Sequence, residues 1–213
     1  MSIFRSGQPS NPFATRHWGP GNVTFLFPEG ESLDGLLARL DEAGWHAELV
    51  GDHGVGKSTL LATLREAAEA RGWPVLWCKM RQVSPRLPWG WQWRWRRARV
   101  VFLDSGELLP GRQWRALARW ATRGGRGLVV TLHAPKDWGL RVDLAPRAET
   151  FAALLSHLLR RPIAQQAAAR WLEKHATPRQ ALFALYEAYE EDAAVTLADL
   201  TAPRPHREEP PTP

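Results

Sequence analysis

A glycine-rich segment at residues 51–58 has the residue types and the spacing of a phosphate-binding loop. The pattern is Gly, four residues, Gly, Lys and then Ser or Thr. Glycines permit a tight loop whose backbone amides point at phosphate oxygens, and a following helix adds the positive end of its dipole. Lys57 is predicted to reach the outer phosphates, and the Ser58 hydroxyl is predicted to bind Mg²⁺. The predicted nucleotide-binding residues of this part of the chain are Gly51, Asp52, His53, Gly54, Val55, Gly56, Lys57, Ser58 and Thr59.

Asp104 is the second residue whose position indicates chemistry. It ends a continuous apolar run, residues 99–104, which is typical of a strand buried on both faces of a parallel sheet. Proteins with a phosphate-binding loop place at such a strand end the carboxylate that holds Mg²⁺. An Asp at a strand end can also be a plain turn residue, but the loop favours the metal role. Ser58 and Asp104 are therefore the predicted Mg²⁺ ligands.

Alternating strands and helices must position these residues. The loop follows a short strand and precedes a helix that begins at about Lys57, and this context favours a phosphate-binding loop over an ordinary Gly-rich turn. Strands that alternate with helices indicate crossover units in a parallel sheet, with functional residues at the carboxyl ends of the strands. The predicted strands are residues 46–50, 74–78, 99–104, 127–132 and, as a short fifth, 141–144.

The chain becomes purely helical from Thr150 onward. One helix start is well marked, because Thr177 and Gln180 form a capping box and Pro178 occupies the first helical position. The predicted organisation is an extended lead-in over residues 1–20, a core over 21–148, a helical lid over 149–200 and a disordered tail over 201–213.

The combination of the loop, the strand that ends in Asp104, an intervening strand and a polar residue after the fourth strand resembles the additional-strand class of P-loop ATPases. Within that class the chain looks most similar to AAA-type and signal-transduction ATPases, including bacterial secretion and transposition ATPases. Residues 11–13 are similar to the lead-in of the secretion type, and the short connection to 141–144 resembles the signal-transduction type. Residues 177–182 look like the start of a lid helix that carries a sensor-two arginine.

The resemblance implies an α/β fold: a three-layer parallel sheet of the P-loop NTPase type with a small C-terminal helical lid. It also implies that Arg179 contacts the nucleotide and that the cofactors are ATP and Mg²⁺. ATP is favoured over GTP because residues 134–137 lack the specificity motif that GTPases carry after the fourth strand.

Three positions depart from the family pattern or leave its roles open. Ser105 stands where the family has a catalytic Glu directly after the strand-three Asp. Glu107 is then either the water-orienting base or a solvated turn carboxylate. His133 falls at the sensor-one position, where it either touches the outer phosphate or merely caps the strand. Glu107 and His133 are the predicted catalytic residues, and loss of the adjacent Glu predicts slow hydrolysis.

Residues 89–97 alternate tryptophans with polar or small residues. In an extended strand all four indoles would share one face, and Gln92, Arg94 and Arg96 would share the other. Indoles interleaved with arginines are typical of surfaces that bind single-stranded nucleic acid. The alternatives are an edge strand or hairpin whose indoles pack on the domain, which we favour, and a surface for a protein partner. The formal charge of +6 and the pI of about 10.2 agree with a polyanionic partner.

Composition excludes several other classes of protein. No apolar stretch approaches the ~18 residues of a membrane span. The single cysteine, Cys78, excludes an internal disulfide, and the first residues do not form a signal core, so a cytoplasmic location is expected. We expect a magnesium-ATP-binding ATPase that serves a partner as a switch or motor, and the alternative is a non-hydrolysing, nucleotide-dependent interaction module. The expected partners are ATP, an unidentified protein and, as open alternatives, nucleic acid and a second copy of the chain.

Overall fold

The computed structural model describes residues 11–201, which form two compact units. The sheet unit comprises residues 19–145, and the helical unit comprises 11–18 together with 146–201. The parts of the predicted lead-in and tail at residues 1–10 and 202–213 lie outside the described residues. No helix in the described part of the chain is long and apolar enough to cross a membrane.

The elements alternate along the first two thirds of the chain and are helical thereafter. The strands are β1 (His46–Val50), β2 (Val75–Lys79), β3 (Val100–Asp104), β4 (Gly127–Leu132) and β5 (Leu140–Asp143). The helices are α1 (Thr15–Trp18), α2 (Leu33–Glu42), α3 (Lys57–Ala70), α4 (Trp91–Arg94), α5 (Gly111–Arg123), α6 (Ala148–Leu159), α7 (Gln165–Lys174), α8 (Pro178–Glu191) and α9 (Ala193–Thr201). A 3₁₀ turn spans Gly106–Leu108.

The five strands form one parallel sheet in the order β2-β3-β4-β1-β5. The three central strands β3, β4 and β1 are almost wholly buried, which for β3 and β4 agrees with their largely apolar sequences. All five predicted strands are present, with bounds that differ by one residue or so. Because β1, β4 and β3 are parallel neighbours, the loop after β1 and Asp104 at the end of β3 lie at the same edge of the sheet.

Alternating side chains of β3 enter two separate cores. Val101 and Leu103 pack in one core with Leu117 of α5. Val100 and Phe102 pack in the other core with residues of α2 and α3. Helices therefore cover both faces of the sheet, and the predicted three-layer α/β architecture is confirmed.

The helical unit has its own core, in which Phe13, Phe151, Leu155 and Leu185 are buried. Its best-marked helix start is confirmed, because the Thr177 side chain accepts a hydrogen bond from the Gln180 amide and Pro178 is in the first turn of α8. Within the lead-in that was expected to be extended, residues Thr15–Trp18 form one helical turn. The Asn11 side chain donates hydrogen bonds to the Tyr186 carbonyl and the Glu190 carboxylate, which attaches this segment to α8.

The extended conformation considered for residues 89–97 is wrong. Residues Trp91–Arg94 form the short helix α4, which follows Gly90 in the left-handed region at φ 69°. Trp91 and Trp95 are buried and pack with Trp120 of α5 at ring-centroid distances of 5.2 and 6.5 Å. Residues four apart share a face of a helix, so the alternating sequence does not place all four indoles on one side.

Candidate functional site

The loop between β1 and α3 has the backbone that its glycines predict. Gly54 and Gly56 have φ values of 80° and 103°, in the region that side chains rarely adopt. At Gly51 a Cβ atom would lie 2.4 Å from the Leu144 carbonyl oxygen. Glycine is therefore required at three places in this turn, and α3 presents its N-terminal amides directly after it. The turn has the form of an anion-binding cradle.

Lys57 begins α3 and is turned back over this loop. Its side chain is buried, and Nζ donates hydrogen bonds to the carbonyls of Gly51 at 2.5 Å and Asp52 at 2.7 Å. Nζ also lies 3.5 Å from Nδ1 of His133. The charge is thus held at the mouth of the loop by neutral acceptors, where a phosphate oxygen would be a stronger acceptor for the same ammonium.

Ser58 and Asp104, the two predicted Mg²⁺ ligands, are in direct contact. The Ser58 hydroxyl donates to Oδ1 of Asp104 at 2.9 Å, and Asp104 is only 2% exposed. The Thr131 hydroxyl of β4 also donates to Oδ1, at 3.0 Å, and accepts from the Ser105 amide at 2.8 Å. Lys79, which pairs with Asp104 in the β2–β3 register, places Nζ 3.5 Å from Oδ2.

This donor set fits Mg²⁺. The ion prefers hard oxygen ligands, usually keeps several waters and takes only one or two protein carboxylates. Ser58 and Asp104 supply two such oxygens beside the loop. The described residues hold no cluster of three His, Cys, Asp or Glu side chains that would form a protein-only metal cage. A magnesium ion held jointly by these residues and a phosphate is chemically consistent with that arrangement.

A tight turn after β3 brings Glu107 back to the site. Ser105 has a left-handed φ of 61° and begins the 3₁₀ turn 106–108. Gly106 packs so closely on β4 that a Cβ atom would lie 2.2 Å from a methyl group of Val130. The Glu107 carboxylate then meets His133, with Oε1 3.3 Å from Nε2, while Oε2 is buried without a hydrogen-bond partner.

His133 connects three of the predicted site residues. Its Nε2 lies 3.3 Å from Oε1 of Glu107, and its Nδ1 lies 3.5 Å from Nζ of Lys57. Its ring also lies against that of His53, with centroids 3.9 Å apart. The structure therefore assembles the loop, the end of β3 and the end of β4 into one polar cluster. This contact shows the side chains together, and the catalytic roles of Glu107 and His133 remain predictions.

Sequence reasoning missed a support behind this cluster. Glu48 of β1 is 1% exposed, and its Oε2 accepts hydrogen bonds from the backbone amides of Lys136 and Trp138. The Lys136 ammonium in turn donates to the Gly106 carbonyl at 3.2 Å. Burial lowers the pKa of Lys136, and the charges of Glu107 and Glu48 oppose that shift. A charged Glu inside an apolar strand was the available signal, since a buried carboxylate needs donors.

The remaining predicted site residues occupy different surroundings. Asp52 and His53 are exposed in the loop, Val55 is buried, and Thr59 is half-buried in the first turn of α3. Arg179 is exposed in the first turn of α8, in the helical unit. Its contact with a nucleotide stays a prediction.

Comparison with known proteins identifies the fold. No family model and no curated protein matches the chain. AMPPCP-bound DnaA from Aquifex aeolicus is similar over 81% of this chain and 65% of that one, with a TM-score of 0.61 and 13% identity. A replication initiator DnaA bound to AMPPCP and single-stranded DNA has a TM-score of 0.57 and 12% identity, and covers 78% of this chain and 63% of that one. Domain III of the Thermotoga maritima replication initiation protein DnaA gives a TM-score of 0.57 and 15% identity, with 84% and 97% covered.

The chain shares the α/β P-loop NTPase-like fold of DnaA domain III. The resemblance inferred from the motifs is confirmed for the fold. Sequence identities of 12 to 15% support similarity of fold alone. The chain spans less than two thirds of the length of the first two DnaA proteins.

Proposed function

We propose that this protein is a magnesium-ATP-binding P-loop ATPase with slow hydrolysis, which acts as a nucleotide-dependent switch or motor for a partner. One observation carries the proposal: the glycine loop, Lys57 and the Ser58–Asp104 pair meet at one edge of the sheet. The DnaA structures that bind AMPPCP share the fold and support a nucleotide as ligand.

Each residue of the cluster has a definite task under this proposal. The loop amides and the N-terminal amides of α3 donate hydrogen bonds to the phosphates, and Lys57 exchanges a carbonyl partner for a phosphate oxygen. Ser58 and Asp104 hold Mg²⁺, which neutralises charge on the phosphates when it is bound. Arg179 is proposed to contact the nucleotide as well.

Glu107 is the candidate base that orients a water, and His133 sets its orientation. Ser105 occupies the usual position of the base. The carboxylate of Glu107 comes two residues later, in the 3₁₀ turn 106–108. The contact with His133 stabilises the carboxylate but also competes with a water for the same oxygen. This competition is the physical reason for expecting slow turnover.

A second candidate function is a non-hydrolysing, nucleotide-dependent interaction module. The observation that favours it is Ser105 itself, which puts a hydroxyl where the class carries its catalytic carboxylate. Both candidates require binding by Lys57 and Asp104, and they differ in turnover. Kinship with secretion and transposition ATPases, a cytoplasmic location, self-association and a protein or nucleic-acid partner belong to the proposal as well.

Calorimetric titration of ATP, with and without Mg²⁺, tests the proposal in the wild type and in Lys57→Ala. Loss of the ammonium should weaken ATP binding by about 100-fold, since two charge-assisted hydrogen bonds together contribute roughly 3 kcal/mol or more. Lys174→Ala, which removes an exposed lysine from the helical unit, is the matched control and should bind as the wild type does. Undiminished ATP binding by Lys57→Ala would refute the site.

Phosphate release under saturating ATP then separates the two candidates. Measurable release that Lys57→Ala abolishes supports the ATPase. Tight ATP binding with no release supports the interaction module.

A further inference from the structure

The connection between β2 and β3, residues 80–99, is here called the arginine–tryptophan segment. It contains neither Asp nor Glu, so no carboxylate of its own neutralises its arginines. The segment starts at the site, because the Met80 amide donates to the Asp104 carbonyl at 2.9 Å. Its arginines are Arg81, Arg86, Arg94, Arg96, Arg97 and Arg99, all of which are exposed.

Two of the segment's four indoles are packed in the core of the sheet unit. Trp91 and Trp95 are buried in the core beneath α5, together with Met80 and Leu87. The Leu87 amide donates to the Gln113 side chain at 2.7 Å, which attaches the segment to α5 a second time. The segment is therefore held in place by packing and does not depend on a ligand for its shape.

The other indoles project into water. Trp89 is 97% exposed and Trp93 is 69% exposed, and Val83, earlier in the same segment, is 97% exposed. The Arg96 guanidinium covers Trp93 at 4.6 Å from the ring centroid, which leaves the opposite face of that ring accessible. Large apolar side chains presented in this way by a folded segment indicate a binding surface.

We propose that this surface binds single-stranded nucleic acid, with Trp89 and Trp93 stacking on unpaired bases and Arg94 and Arg97 contacting phosphates. The inference rests on the proposed function, for which it names the partner. Stacking suits an indole because every base offers a π-face, whereas the bases of a duplex are already stacked on one another. An acidic protein would use the same charges, but it offers fewer flat aromatic faces to two separate indoles. Nucleic acid is the occupant that uses both chemistries of the segment.

Fluorescence anisotropy with a labelled oligothymidylate, measured on the full chain at several salt concentrations, tests the proposal. Affinity should fall as salt rises, with a logarithmic slope of about 0.7 for each phosphate contact. Trp89→Ala with Trp93→Ala should weaken binding at least about tenfold and leave this slope unchanged, because stacking is not ionic. Arg94→Ala with Arg97→Ala should flatten the slope by about 1.4, for two lost contacts.

Matched controls make these results specific to the segment. Arg39→Ala with Arg123→Ala removes the same charge from exposed positions elsewhere on the sheet unit and should leave the slope unchanged. A thermal melt of each variant should match that of the wild type, since all four substituted segment residues are exposed.

Three results would overturn the proposal: no binding at low salt, equal affinity for duplex and single strand, or polyglutamate bound as tightly as the oligonucleotide. The last result would indicate an acidic protein surface instead. ATP titration of the same variants keeps the two proposals apart. ATP binding without nucleic-acid binding would refute only the proposed nucleic-acid surface. Nucleic-acid binding without ATP binding would refute only the proposed nucleotide site.

Discussion

The loop site and the arginine–tryptophan segment both present cations, yet they differ in how those cations are held. Lys57 is buried and donates to carbonyls of its own loop, and Asp104 is buried among hydroxyl donors. Arg94 and Arg97 are exposed to water. A ligand of the loop must therefore replace existing hydrogen bonds, whereas a ligand of the segment displaces water and small ions.

The difference teaches how each region achieves selectivity. In the loop, a ligand is favoured only if its oxygens are better acceptors than the carbonyls of Gly51 and Asp52, as phosphate oxygens are. In the segment, the arginine charges attract any anionic ligand regardless of its shape. Only the exposed indoles add a preference, which is for ligands with flat aromatic rings. Substitutions in the loop site should thus change ATP binding or turnover. In the segment, substitutions of buried residues should lower stability, and substitutions of exposed residues should weaken ligand binding.

Glu107→Gln is expected to have the largest effect on the loop side of this comparison. The amide keeps the size of the side chain but cannot accept a proton, so turnover should fall roughly 100-fold or more while ATP affinity is preserved. Phosphate release and calorimetry on the same preparation measure the two quantities. Glu29→Gln, at an exposed loop position, is the control and should behave as the wild type. Turnover equal to that of the wild type would show Glu107 to be a solvated turn carboxylate.

Two tryptophan substitutions compare buried and exposed indoles within the segment. Trp91→Ala removes a ring packed on Trp95 and Trp120 and should lower the free energy of unfolding by about 3 to 5 kcal/mol. Trp89→Ala removes an exposed ring and should change it by no more than about 0.5 kcal/mol. Urea denaturation followed by circular dichroism measures both. Equal losses would mean that Trp89 also packs in the core, which would remove the basis for a stacking surface.

Asp104→Asn should have a smaller effect at the loop site than Glu107→Gln. The amide oxygen can still accept from Ser58 and Thr131, so the hydrogen bonds of the site persist while the charge that favours Mg²⁺ is lost. ATP affinity in the presence of a chelator should stay the same, and the enhancement by Mg²⁺ should fall about tenfold. Titrations at several Mg²⁺ concentrations measure this difference. A full Mg²⁺ enhancement in the variant would assign the metal to other ligands.

Sequence patterns anticipated the loop, Asp104 and the five strands because each depends on local chemistry. Glycine spacing limits the backbone of the loop, and a continuous apolar run needs burial on two sides. Thr131 and Lys79 were missed, since their contact with Asp104 comes from the order of the strands in the sheet. Glu48 was missed because its donors follow β4, far along the chain.

The tryptophan segment shows where the local signal fails. Its alternation predicts a strand. Trp91 and Trp95 instead lie four residues apart on one helical turn, from which both rings contact Trp120 of α5. Burial of two rings against α5 outweighs the preference of alternating residues for an extended backbone. The amino-acid sequence by itself determined which residues can hold phosphate and magnesium, because that chemistry resides in neighbouring residues. Only the tertiary structure decided which indoles face water and which groups surround Asp104, because those outcomes depend on packing between elements that are distant in the chain.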